Sequence, residues 1–260
     1  MLAALHMEWT KLRTMRSTAW CLLAVIGLSI GLSAYATGTT DAVHCAPHCS
    51  FDVPRLSLSG VYLGQVAVVA LAALAVTSEY DTMMIRITLA ACPRRLTVLA
   101  AKLTVVTAFV LGSATMAVLG SLLASRVILP GNGFTAARGY PLLSLSDPVT
   151  ARACIGTVLY LALVALLSAG TCAIIRHTGW SVTAILGLLF VPPILLQFVN
   201  NPSWHDRILR YSPMTAGQAI QVTKGLRQLA VGPWQGLAIL AAYAAAAIVT
   251  GALVIRCRDA

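Results

Sequence analysis

Residues 78–102 read SEYDTMMIRITLAACPRRLTVLAAK and carry six of the 26 charged side chains of the 260-residue chain: Glu79, Asp81, Arg86, Arg94, Arg95 and Lys102. Charge-free runs flank them, 56–78 before and 103–125 after. A polar segment this dense between two apolar runs is where a water-soluble partner would engage such a chain. Working outward, the same alternation repeats. Further runs without a charged residue cover 17–40, 153–175, 178–204 and 228–255. Each exceeds the roughly 20 residues that carry a helix across a bilayer core.

Composition agrees. The chain is 58% hydrophobic and 10% charged, with a mean hydropathy of +0.84, whereas soluble domains carry about 25% charged residues. A soluble fold could not hide this much apolar side chain, so lipid is the expected solvent. The net charge of +10 does not point to nucleic acid, because no soluble domain is present to concentrate it on one face. In a membrane protein, excess Arg orients spans and holds anionic headgroups. The expected fold is all-α and polytopic, one transmembrane domain over 1–260, with spans near 17–38, 57–77, 103–125, 153–175, 179–199 and 233–255. The runs do not alternate as barrel strands would.

Residues 1–16 precede the first span. Leu2, Leu5, Trp9 and Leu12 fall on one helical stripe, with Glu8, Lys11 and Arg13 largely away from it. This predicts an interfacial helix anchored by Trp9 and by Lys11, Arg13 and Arg16. The apolar run that follows is longer than a signal-peptide core, so it reads as a retained span. The basic cluster, with ten of the 18 Lys and Arg on the same side, places both termini in the cytoplasm.

In the first outer loop, His44-Cys45-Ala46-Pro47-His48-Cys49 leaves three readings open. Cys45 and Cys49 form a small disulfide, which is simplest outside the cytosol, or bind a soft metal with the histidines, or stay free. The loop over 126–152 reads as turns around Pro130-Gly131-Asn132-Gly133, Pro141 and Pro148. Pro192-Pro193 is expected to break or kink span five. Over 200–232, Asn200-Asn201-Pro202 reads as a turn and Ser212-Pro213 as the start of a short helix through Ile220. That segment is expected to re-enter the outer leaflet.

The spans contain no ionisable residue, which disfavours an ion-coupled carrier. No zinc-protease helix, nucleophile elbow or phosphate loop occurs, so the chain is not expected to hydrolyse ATP itself. Within 78–102, Ser78 and Asp81 resemble a capping box. Glu79 and Asp81 suit a first turn, and Pro93 with Arg94-Arg95 forms an end. A short helix over 78–92 is expected, presenting Tyr80, Met83, Met84 and Ile87 to a groove on a partner.

Three stretches resemble the permease subunits of bacterial ABC exporters of the type-2 membrane class. They are Glu8-Trp9-Thr10-Lys11-Leu12-Arg13-Thr14; Ser78-Glu79-Tyr80 with Ile85-Arg86 and Pro93-Arg94-Arg95; and Tyr211-Ser212-Pro213-Met214-Thr215-Ala216-Gly217-Gln218. The likeness covers the chain in order. It implies a dimer of permeases, as a second copy or a homologous chain, bound to two separate ATPase subunits that hold ATP and Mg in the bacterial plasma membrane. By that resemblance Glu79, Tyr80, Asp81, Met83, Arg86, Arg94 and Arg95 are coupling residues; many relatives have Gly where Met83 stands. That family moves drugs, lantibiotics, lipids and glycans, and the uncharged spans of this chain fit a hydrophobic or amphipathic cargo, such as a drug, an antibiotic peptide or a lipid. An ATP-independent carrier or channel, or a non-transporting membrane sensor or immunity protein, would instead need no ATPase-driven cycle.

Overall fold

The computed structural model describes residues 2–41, 51–81, 95–135, 140, 143–198, 201–226 and 229–257. The described residues are mostly helical. In chain order the helices are α1 (Leu2–Thr14), α2 (Arg16–Thr39), α3 (Val53–Ser57), α4 (Val61–Asp81), α5 (Arg95–Ile128), α6 (Pro148–Ile175), α7 (Thr178–Leu195), α8 (Pro202–Tyr211), α9 (Pro213–Gln218) and α10 (Pro233–Cys257). Six of them, α2, α4, α5, α6, α7 and α10, are long and apolar enough to cross a membrane. Successive crossings leave two faces. One carries α1 and the turn between α6 and α7. The opposite face carries α3, α8 and α9.

Helix is dictated by the solvent, since a chain in hydrocarbon must satisfy its backbone N–H and C=O groups internally. The ends follow local chemistry. Asp147 caps α6, its Oδ2 accepting from Thr150 N (3.1 Å) and Thr150 Oγ1 (2.8 Å), with Pro148 at the first helical position. That cap moves the start of span four from 153 to 148. Asp52 caps α3, and α4 begins only at Val61, so span two starts four residues later than expected. Asn132 closes α2 from outside, donating from Nδ2 to the Thr37 and Gly38 carbonyls (2.8 and 3.1 Å).

Two local expectations are corrected, at Ser78 and at Asn201-Pro202. Ser78 does not start a new helix, because α4 runs through it to Asp81; its i−4 carbonyl partners are still in place, and nothing stops propagation. Pro192 and Pro193 fall in the last turn of α7. The helix ends two residues later, at Leu195, in line with the break expected of prolines, which lack the N–H group. Asn201-Pro202 is the cap and first residue of α8, with Asn201 Oδ1 accepting from Ser203 N at 3.1 Å, rather than a free turn. The short helix after Ser212 does form, as Pro213–Gln218 followed by a 3-10 turn over Ala219–Gln221, though Ser212 makes no side-chain cap bond.

The tryptophans mark two planes. Trp9, Trp20 and Trp180 lie near helix ends on the face of α1, and Trp204 and Trp234 near helix starts on the opposite face. All five are exposed, as amphipathic rings at the two headgroup levels of a bilayer would be.

Inside the bundle, α6 is the central post, packed by α4, α5, α7 and α10. The most apolar stretches of α4 and α6 are 67% and 61% buried, against 17–22% for α2, α7 and α10. The latter three therefore offer broad faces to lipid or to another chain. Packing depends on small residues. A Cβ on Gly60 would lie 1.7 Å from the Ser29 carbonyl oxygen of α2, and Gly60 N donates to Ser33 Oγ at 3.0 Å. A Cβ on Gly236 of α10 would lie 1.9 Å from the Ala216 carbonyl oxygen of α9.

Gly236→Val is therefore expected to lower the thermal midpoint of the detergent-solubilised protein, by about 1–3 kcal/mol of stability as overpacking does. Equal melting of variant and wild type would show that α9 does not sit against α10. The Asp147 carboxyl is held below the usual carboxylate range, first by the Thr150 hydroxyl and next by the Thr150 backbone N–H. A pKa lowered on folding adds stability that is present above the unfolded value and lost as pH falls through the folded one. Asp147→Asn, which still caps a helix, is expected to flatten that acid limb in pH-dependent melts, with a lower neutral plateau and melting that converges with wild type at the acid end.

Candidate functional site at the N-terminal face

The segment singled out from its charge is bounded by two helix ends on the face that carries α1. Glu79, Tyr80 and Asp81 are the last three residues of α4, and Arg95 is the first of α5. Met83, Arg86 and Arg94 lie outside the described residues, as do Cys45 and Cys49. Among the described residues, Cys21, Cys154, Cys172 and Cys257 are free thiols.

The length of α5 places its ends. Lys102 and Arg126 on α5 are about 36 Å apart at about 1.5 Å of rise per residue, close to a hydrocarbon core of about 30 Å plus part of the headgroups. Two turns, from Arg95 to Ala101, precede Lys102 and extend the helix about 10 Å farther on the side of α1. Arg95, where α5 begins, thus lies beyond the apolar core.

Lys102 is where α1 is fastened. Its Nζ lies 2.9 Å from Glu8 Oε1, and both side chains are at least nine-tenths buried. One step along α1, Trp9 stacks on Phe109 of α5, with ring centroids 4.7 Å apart at 24°. The buried stripe of α1 is Ala4, Glu8 and Leu12. This corrects the expected stripe: Leu2 is exposed, Trp9 is only partly covered, and Glu8 faces inward. Helical periodicity alone sends a carboxylate outward, and only a lysine on another helix reverses that choice. Lys11 is half-buried, whereas Arg13 and Arg16 are exposed on the same face.

Two more contacts lock this face. Thr77 Oγ1 donates to the Ala73 carbonyl at 2.7 Å and lies 2.6 Å from Thr178 Oγ1, so the Thr178 hydroxyl is the donor between α4 and α7. Arg176, with φ 60°, ends α6 in the left-handed region, and its Nη2 donates to the Val254 carbonyl of α10 at 3.3 Å. A guanidinium on the last carbonyls of a helix also suits the helix dipole. Polar contacts on this face thus join the helices in three pairs, α1 with α5, α4 with α7 and α6 with α10.

A second polar cluster went unmarked by charge. Tyr160 Oη on α6 donates to Gln65 Oε1 on α4, and Gln65 Nε2 reaches Met214 Sδ on α9 at 3.5 Å. Gln221 Nε2 donates to Thr157 Oγ1 at 3.2 Å, and Arg152 Nη2 to the Val222 carbonyl at 2.7 Å. These bonds seat α9 and the 3-10 turn after it on α6. The polar residues Gln65 and Tyr160 inside apolar runs were the available signal.

Removing one partner of the buried pair leaves the other charge without compensation, at a cost of about 3–5 kcal/mol. Glu8→Ala and Lys102→Ala should each lower the thermal midpoint strongly and expose α1 to limited proteolysis. Glu8→Leu combined with Lys102→Met should recover most of the loss, because the apolar pair has no desolvation cost. If the double change were as damaging as either single one, the pair would not be what holds α1.

The chain matches no family model, no curated protein and no solved structure.

Proposed function

We propose that the chain is the membrane-spanning permease subunit of an ATP-driven exporter of the ABC type-2 membrane class. In this reading two permease chains line the path of a hydrophobic or amphipathic cargo, and two separate ATPase subunits supply the work. The observation that carries the proposal is the charge-dense stretch 78–95, set between the ends of α4 and α5 on the face that carries α1. The resemblance of three motif stretches, in order along the chain, gives that stretch its role as the ATPase dock. The weakly buried faces of α2, α7 and α10 leave room for a second permease.

The mechanism follows from the ties on that face. Closing of the ATPases on ATP would press on 78–95, and the pull would pass through α5 to α1 by way of Lys102 and Glu8, and through α4 to α7 by way of Thr77 and Thr178. Rocking of whole helices then exposes the cargo path to alternate sides. The two states must differ in their contacts with the ATPase, since a partner that binds both equally shifts nothing. ATP and Mg belong to the partner, so the chain itself is not the enzyme. The bacterial plasma membrane, with both termini in the cytoplasm, completes the proposal.

Affinity purification from the native membrane is expected to bring down an ATPase subunit with the wild-type chain. Glu79→Ala combined with Arg86→Ala should abolish both that association and nucleotide-dependent cargo movement in inverted vesicles. Association that survives the double change would remove 78–95 as the dock. Cargo movement that persists without nucleotide would point to an ATP-independent carrier.

A further inference from the structure

A pocket of about 510 Å³ opens on the face opposite α1. It lies where the loop before α6, the start of α3 and the strand-like stretch after the 3-10 turn at Ala219–Gln221 converge. Val53, Leu143 and Val149 supply apolar wall, and Tyr140, Asp147 and Lys224 supply the polar and aromatic groups. The volume suits a small ligand, for which pockets run to about 300–1,000 Å³.

Each wall is held by its own bonds. The Asp52 carboxylate accepts from Thr223 N (2.6 Å), Thr223 Oγ1 (2.5 Å) and Lys224 N (3.1 Å), which fixes the backbone that carries the Lys224 side chain. Arg126 Nε donates to the Leu143 carbonyl. Phe134 meets both Tyr140 and Phe51 edge-on, at 4.9 and 5.6 Å between centroids. The pocket is therefore built in advance, without a ligand to shape it.

Its charges are complementary in sign but do not pair with one another among the described residues. Lys224 Nζ lies 5.2 Å from the centroid of the Tyr140 ring. Asp147 takes both Thr150 bonds on one oxygen, Oδ2, and a carboxylate accepts several more donors. A purely cationic ligand would gain Asp147 but meet the Lys224 ammonium. A purely anionic one would gain Lys224 but meet Asp147. A ligand with both charges a few atoms apart satisfies both, and an apolar tail would cover Val53, Leu143 and Val149. The pocket also sits beside Pro148, the first residue of a membrane-crossing helix, at the level where headgroups lie.

We infer that this pocket binds a zwitterionic amphiphile, with its ammonium on Asp147, its phosphate or carboxylate on Lys224 and the beginning of its apolar chain against Val53, Leu143 and Val149. The inference stands on the pocket alone and does not depend on the exporter reading.

Titration of the full-length protein in an uncharged maltoside detergent tests it, with three short-chain probes: dihexanoyl phosphatidylethanolamine, dihexanoyl phosphatidylglycerol and hexyltrimethylammonium. The zwitterion should bind most tightly. Asp147→Asn, which keeps the helix cap, and Lys224→Gln, at an exposed side chain, should each weaken it about tenfold, as loss of one charge-assisted contact does. Asp147→Asn should also weaken the cationic probe and Lys224→Gln the anionic one. Should Asp147→Asn fold poorly, Lys224→Gln decides alone, since its melting should equal that of wild type. Equal binding of all three probes, or zwitterion binding unchanged in the folded variants, overturns the inference.

Discussion

Close approach of helices at small residues is the constraint on which the bundle depends. In hydrocarbon there is no hydrophobic drive to bring one apolar helix against another, so association rests on van der Waals contact and on interhelical hydrogen bonds. Both need backbones close together. Gly170 of α6 meets the backbone of α10 at Ala247 and Ile248, where an added Cβ would lie 2.7 and 2.8 Å away, and Gly251 meets the Gly170 carbonyl. Gly60 does the same for α4 against α2 at Ser29. With these crossings made, α6 and α4 become interior and α2, α7 and α10 peripheral. The division between a packed core and faces left for lipid or a partner follows from them.

Polar groups act at the two ends of this apolar body and do different work there. On the face of α1 they are long-reach ties between whole helices: Glu8 to Lys102, Thr178 to Thr77, Arg176 to the end of α10. On the opposite face they fasten short pieces to the bundle, as Asp52 holds Thr223 and Lys224, and Tyr160 with Gln65 and Met214 holds α9. The first kind suits transmission of force along rigid rods. The second suits a capped surface with a preformed pocket. A machine driven from one side and exchanging an amphiphile on the other would use both.

Much of the fold was legible in the gaps between charged residues, since a helix that crosses lipid must be long and free of unpaired charge, and those two demands show directly in a one-dimensional string. The start of span four is marked in the sequence by Pro148, which reads as a turn, and the Thr150 bonds make Asp147 before it a cap. Span five stopped where its prolines stand, for the same backbone reason that suggested a kink. The candidate coupling segment was visible as a density of charge between spans. The pocket beside Tyr140 and Lys224 was not, because its walls come from three segments far apart along the chain.

Glu8 draws the line between the two kinds of knowledge. By itself the sequence determined that the chain is helical, that six stretches are built for lipid, and that charge gathers at 78–102, because each of these follows from local composition and from the insolubility of bare backbone in hydrocarbon. Which way α1 faces depended on whether its carboxylate could find a cation within about 3 Å inside the protein, and Lys102 supplies it from another helix. Burial of a charge is decided by its partner. Partners are brought together only by the tertiary structure, which is why the same Glu8 reads as surface in the sequence and as a fastening in the fold.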